Sequence, residues 1–273
     1  MDLYSIAAGG IETTYAAQGT GHPVVLVHGW GATSRFWRFL WPDLASGYRA
    51  IAPDLPGWGK SGKPDAPYTI EWYAGWLDAF LDTLGVQAAA VVGHSMGGSI
   101  AIELAASRPQ RVSHLVLACP LVTGAGLNRE TRFLSAPGMR HFTYPFVKAP
   151  WVLRFITRHF QYGRRPEEKD IQAIAAGNFA SLSRPITSMK RAALAARLES
   201  IRCPTLVVGA DRDLVISPDQ AALAARIPGA RLEMMRDCGH LSLLEAPGEF
   251  NGHVVRFLRE HGLNRVGARP PQW

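Results

Sequence analysis

Residues Gly93-His94-Ser95-Met96-Gly97 carry a G-x-S-x-G pattern between two segments of different character. Ala88 to Val92 is a short unbroken apolar run, which reads as a strand buried on both faces. From Ser99 to Ala106 the spacing of Ile100, Ile102, Leu104 and Ala105 reads as a helix. Joining the two across so few residues demands a very sharp turn, which strains the serine backbone and lifts its hydroxyl clear of the sheet edge. A Cβ at either flanking glycine would collide with neighbouring backbone. The pattern alone recurs by chance. Strand before and helix after make Ser95 a candidate nucleophile rather than a structural turn serine.

The bulk properties remove several alternatives. At 273 residues and 47% hydrophobic, the chain holds enough apolar material for one large α/β domain with an insertion. No run approaches the roughly 18 apolar residues of a membrane span. Met1-Asp2-Leu3-Tyr4 shows no basic segment leading into an apolar one, so no secretory signal is read and a cytoplasmic protein is expected. Cys119, Cys203 and Cys238 are too scattered for a disulfide framework and read as reduced thiols. The net charge is +7, and the stretch between Val122 and Ser200, where 13 Lys and Arg face 5 Asp and Glu, carries +8, leaving −1 for all the other residues. These basic residues are dispersed among Phe, Trp, Leu and Ile with no recognisable binding motif. They read as a solvated basic face, and no nucleic acid partner is expected.

Taken in order, Leu3–Ala8 and Ile11–Ala16 read as strands joined through Gly9-Gly10. Val24–Val27 is a buried strand, Phe36–Leu44 a helix despite Pro42, and Tyr48–Ala52 a strand. Ile70–Leu84 is a helix with Thr69 near its start and Gly85 at its end. His114–Ala118 follows the central unit as another strand. Strand and helix alternate this far, which implies a mostly parallel sheet covered on both faces. After Cys119-Pro120 the alternation stops. Residues 122–200 show no strong strand but carry helical pieces at Trp151–Phe160 and Glu167–Ala176. So long a stretch is an inserted subdomain rather than a loop. The strand Thr205–Val208, helix Pro218–Arg226, strand Arg231–Met235 and helix Pro247–Glu260 resume the pattern. The reading is therefore a core of 1–121 and 201–263, a mainly helical cap of 122–200, and a mobile tail of 264–273.

A serine hydroxyl is a poor nucleophile at neutral pH and needs a base, itself oriented by a carboxylate. In open parallel sheets the working groups sit on loops beyond the carboxyl ends of the strands. Leu206-Val207-Val208-Gly209 leads into Ala210-Asp211-Arg212-Asp213, and the strand ending near Met235 leads into Asp237-Cys238-Gly239-His240. His240 is the candidate base, and Asp211 and Asp213 both stand where the acid is needed. Asp211 is alternatively a turn cap. The oxyanion of an acyl-transfer intermediate needs two N–H donors. Met96 supplies one at the start of the helix, where the dipole helps, and Trp30, in the Gly29-Trp30-Gly31 loop, is the choice for the other. His94 and His28 are expected to orient the elbow and support that loop, and Asp54, one strand too early for the triad, to stabilise its own loop. Cys238 reads as a packed thiol. No phosphate loop, dinucleotide fingerprint or metal-ligand spacing is present, and no cofactor is expected.

With these residues assembled, the chain resembles the α/β-hydrolase superfamily in its cap-bearing serine esterase branch. The resemblance runs from about Val24 to Leu258. It is carried by His28-Gly29-Trp30-Gly31, by Asp54-Leu55-Pro56-Gly57-Trp58-Gly59-Lys60-Ser61, by Gly93-His94-Ser95-Met96-Gly97-Gly98, and by Gly239-His240 with Glu245-Ala246-Pro247. It implies a doubly wound, mostly parallel sheet of about eight strands with an antiparallel N-terminal hairpin and a helical cap after the sixth strand. It favours Asp213, which precedes Leu214-Val215-Ile216-Ser217-Pro218 in the family's frame, although one extra residue after Gly209 keeps Asp211 open. A serine at the elbow sets the chain apart from dehalogenase and epoxide-hydrolase relatives, which carry Asp there.

The resemblance implies ester hydrolysis in two steps, with a small-molecule ester of small to medium apolar groups as substrate and a monomer or homodimer as the working form. A carbon–carbon hydrolase of ring-cleavage products looks similar in triad and cap. A ligand receptor that keeps the fold is the reading from another class. Phe133, Phe142, Tyr144, Phe146, Trp151, Phe155, Phe160 and Phe179 suggest an apolar cap interior.

Overall fold

The computed structural model describes residues 2–134, 149, 151–154 and 167–263. In β3 (Pro23–Val27) and β5 (Ala89–His94) successive side chains enter two different cores. Val25, Val27 and Val91 face one, and Val24, Leu26, Ala90 and Val92 the other. A strand sends alternate side chains to opposite faces, so an unbroken apolar run needs cover on both. The cover on one face is α2 (Ile70–Thr83) and α3 (Met96–Ser107), and on the other α1 (Trp41–Ala45) and α9 (Pro247–Glu260).

The remaining strands are β1 (Asp2–Ala8), β2 (Ile11–Gln18), β4 (Arg49–Pro53), β6 (Val112–Ala118), β7 (Thr205–Ala210) and β8 (Arg231–Met235). The eight form one sheet in the order β1-β2-β4-β3-β5-β6-β7-β8. β2 pairs antiparallel with both β1 and β4, and every other pairing is parallel. β5, which delivers Ser95, lies in the middle of this sheet between β3 and β6. A central parallel strand is held on both edges, so its end is a rigid platform.

One expected helix is divided. Phe36–Leu44 forms a 3-10 turn over Ser34–Trp37 and then the separate α1, with Pro42 in its first turn. Proline lacks the amide an interior helical position must donate, so a helix starts there instead of running through.

Between β6 and β7 the described helices are α4 (Arg129–Leu134), a turn at 151–154, α5 (Glu168–Ala175) and α6 (Phe179–Lys190). The sequence reading placed neither α4 nor α6. Pro185 inside α6 hides it from a helix search, while its start is marked by Asn178, whose side chain accepts from the Ser181 amide in a capping box. The stems of this segment bridge each other, Thr123 to Ala193, and Gln220 Oε1 accepts from the Val122 and Thr123 amides at 3.2 and 2.8 Å. The tail 264–273, the end of the expected helix Trp151–Phe160, and Phe142, Tyr144, Phe146, Phe155 and Phe160 lie outside the described residues. Between β7 and the C-terminus the other helices are α7 (Asp219–Ala224) and α8 (Ser242–Glu245). No helix of the described residues is long and apolar enough to cross a membrane.

Candidate active site

Ser95 stands between β5 and α3 with φ 56° and ψ −120°. A non-glycine residue in that region costs about 1–3 kcal/mol and persists only where its surroundings over-determine it. Here the Ser95 amide donates to Ala118 O at 2.9 Å, and Ser95 O accepts from the Gly98 and Ser99 amides. Glycine is obligatory on both sides. A Cβ at Gly93 would strike the Gly97 backbone, and one at Gly97 would strike the Val27 and His28 carbonyls.

His240 arrives from the loop after β8, between Gly239 and Leu241, both of whose amides donate to the Glu245 carboxylate. Its Nε2 lies 3.0 Å from Ser95 Oγ and its Nδ1 2.7 Å from Asp213 Oδ2. A carboxylate accepts only, so Nδ1 carries the proton and Nε2 is left to accept from the serine hydroxyl. Asp213 comes from the loop after β7, and its Oδ1 accepts from the Val215 and Ile216 amides at 2.8 and 2.9 Å. Burial pushes the Asp213 carboxyl up. His240 and the two amides outweigh that, and the carboxyl is held below its ordinary range. Asp211 does not reach His240. Its Oδ1 accepts from the Cys238 amide at 3.4 Å and its other oxygen lies 3.8 Å from Arg236.

The neighbouring histidines have other work. His94 Nε2 donates to the main-chain O of His240 at 2.8 Å, pinning the residue that meets Ser95. Burial, with His240 alongside, pushes the His94 imidazole down to about 3. His28 accepts from the Leu55 amide at Nε2 (2.9 Å) and donates from Nδ1 to Gly29 O (2.8 Å), so it braces the loop after β3. Asp54 takes the Ser34 and Lys60 amides at 2.8 and 3.0 Å and organises its own loop. Burial raises the Cys238 thiol to about 12, so it is no thiolate at neutral pH. A Cβ on Gly29 would lie 3.0 Å from Ser95 Cβ, which shows how closely the loop bearing Trp30 runs against the elbow. Met96 opens α3, where first-turn amides have no intrahelical acceptor.

Cys119, Asp213 and His240 are the one group among the described residues whose donor atoms have metal-like spacing, within 4.8 Å of one another. Two of the three are already bonded to each other, and burial raises the Cys119 thiol well above its ordinary value.

The buried His94 carries a stability consequence. An unfolded chain protonates this imidazole near 6.5, the folded one only near 3, so stability falls as pH drops from 6.5 toward 3. At pH 5 the loss is about 2 kcal/mol for this group alone. Urea unfolding of wild type and His94→Gln between pH 7 and 5 should show a shallower decline in the variant. Parallel declines would remove His94 as the cause.

A buried serine–imidazole–carboxylate chain on a strained strand-to-helix turn has the geometry of a nucleophile elbow. Residues 22–247 match the alpha/beta hydrolase fold family. The chain belongs to that family. It is 32% identical over 258 residues to the dihydrolipoyllysine-residue acetyltransferase component of the acetoin cleaving system of Cupriavidus necator, covering 91% of this chain and 67% of that one. It is 30% identical over 268 residues to 2-hydroxymuconate semialdehyde hydrolase of Pseudomonas sp. strain CF600, covering 93% of each. Among solved structures, the esterase of Exiguobacterium antarcticum superposes with a TM-score of 0.82 at 24% identity, covering 93% of this chain and 98% of that one, a likeness of fold.

Proposed function

We propose that this chain is a serine hydrolase that cleaves carboxylic esters bearing small to medium apolar groups. The observation that carries the reading is the continuous Ser95–His240–Asp213 hydrogen-bond chain. Ser95 Oγ attacks the ester carbonyl while His240 Nε2 takes its proton. The Met96 and Trp30 amides receive the oxyanion. His240 then hands the proton to the departing alkoxide, and water, deprotonated by His240, hydrolyses the acyl-enzyme. Asp213 stays ionised throughout, holding the tautomer and offsetting the imidazolium charge. Residues 122–200 act as a cap over this site.

Cleavage of a carbon–carbon bond in a ring-cleavage dienoate is the second reading, favoured by the 30% identity to the semialdehyde hydrolase across nearly the whole of both chains. The two are separated by assaying the purified chain on p-nitrophenyl esters of increasing acyl length and on a dienoate, with a fluorophosphonate to label the nucleophile. The ester reading expects turnover highest on short to medium acyl chains and the label on Ser95. Turnover confined to the dienoate would replace it with the second reading. Labelling elsewhere, or none, would overturn both.

A further inference from the structure

Trp30 makes a contact that the reaction scheme does not use. Its indole Nε1–H donates to Leu182 O, in α6, at 2.9 Å. The two residues lie 152 positions apart. Pro185, three residues on in the same helix, has no amide to give to Ser181 O, the carbonyl next to this one. The Trp30 ring is braced from the other side by Trp58, edge-on at 5.6 Å and 72°.

The other anchors of α6 go elsewhere. The Asn178 side chain, at its cap, donates to Lys63 O, Arg184 pairs with Asp65, and Ser188 Oγ accepts from the Ile70 amide, so they seat the helix on residues 63–70. Trp30 thus links α6 through its side chain to the loop beside Ser95. Just beyond that loop, Arg35 and Arg38 pair with Glu167 at 2.8 and 2.9 Å, and Arg38 reaches the buried Asp170 at 3.3 Å. The loop and the turn that follows it are therefore each tied to the segment between β6 and β7.

We propose that Trp30 is a positioning residue whose indole anchors the oxyanion-hole backbone to α6, so that the hole is complete only while α6 is seated. The inference rests on Ser95 being the nucleophile, as proposed above. The main-chain N–H assigned to the oxyanion and the indole that bonds Leu182 O belong to one residue, so the indole bond restrains the backbone that carries the donor.

The test is Trp30→Phe, which keeps an aromatic ring against Trp58 while removing the indole N–H together with part of the fused ring. The readouts are the second-order rate of Ser95 phosphonylation by a fluorophosphonate, kcat and KM on p-nitrophenyl butyrate, and Tm. Phosphonylation and kcat should each fall about tenfold, the worth of one hydrogen bond. KM and Tm should stay close to wild type. Trp41→Phe is the control, since it loses an indole bond to the Gln18 side chain in the core on the other face of the sheet. It should lower Tm and leave phosphonylation unchanged. Wild-type phosphonylation in Trp30→Phe, or an equal loss in both variants, would overturn the proposal. Wild type that is phosphonylated but turns over no ester loses the substrate assignment alone, because the rate comparison still stands. Wild type that is not phosphonylated removes the nucleophile and this inference with it.

Discussion

Ser95→Ala should lower kcat on p-nitrophenyl esters by about 10⁶-fold, close to the loss of the whole triad. The variant deletes one oxygen and leaves the rest of the machinery in place. Its backbone remains in the same strained turn, because the Ala118, Gly98 and Ser99 hydrogen bonds that hold it are made by main-chain atoms. His240 loses its partner at Nε2, yet Asp213 still orients the ring. In energy the loss is about 8 kcal/mol of transition-state stabilisation, far beyond what a packing change at a small side chain could produce. Activity is read at high enzyme concentration, with circular dichroism to show that the fold persists. An alanine variant retaining more than a hundredth of wild-type turnover would place the nucleophile elsewhere.

Asp213→Asn should cost about 10⁴ in kcat, and Asp211→Asn only a few-fold. The asparagine carbonyl can keep the Val215 and Ile216 amides, so the loop survives. Its NH₂ group then faces Nδ1 in place of a carboxylate oxygen. The imidazole must shift to the other tautomer, with the proton on Nε2, and it can no longer accept from Ser95. Asp211 ties the β7 loop to the Cys238 amide and lies near Arg236, contacts that support the loop without touching the ring. Comparable losses in the two variants would show that loop integrity, rather than the carboxylate at Nδ1, limits the rate.

How much of this was legible beforehand follows from which interactions are local. The strands β3, β5 and β7 could be read from short apolar runs, because burial on both faces demands them wherever the neighbours lie. α2 was legible from its own cap and stop, Thr69 and Gly85, and α9 began and ended at the expected residues, Pro247 and Glu260. α6 was not, since Pro185 normally argues against a helix interior and only packing on residues 63–70 offsets it. Position after the strand left Asp211 and Asp213 both open, and only the family resemblance favoured Asp213. Both follow the same strand two residues apart, and only the fold of the Val215–Ile216 turn decides which carboxylate points at His240.

The elbow at Ser95 is a property of the sequence itself. The need for glycine at 93 is steric and local, set by the Gly97 backbone, whereas glycine at 97 is demanded by the Val27 and His28 carbonyls at the end of the neighbouring strand. The base and acid were foreseeable as residue types at strand ends, because the topology of a parallel sheet collects its loops on one side. Distances were not foreseeable. Ser95 and His240 are 145 positions apart, and the 3.0 Å between them exists only because β6 and β7 fill the sheet between β5 and β8. The same holds for Trp30 and Leu182, whose bond joins a loop at the site to a helix of the inserted segment. Chemistry of the residues was written along the chain, whereas their convergence depended on long-range packing that no short window of sequence contains.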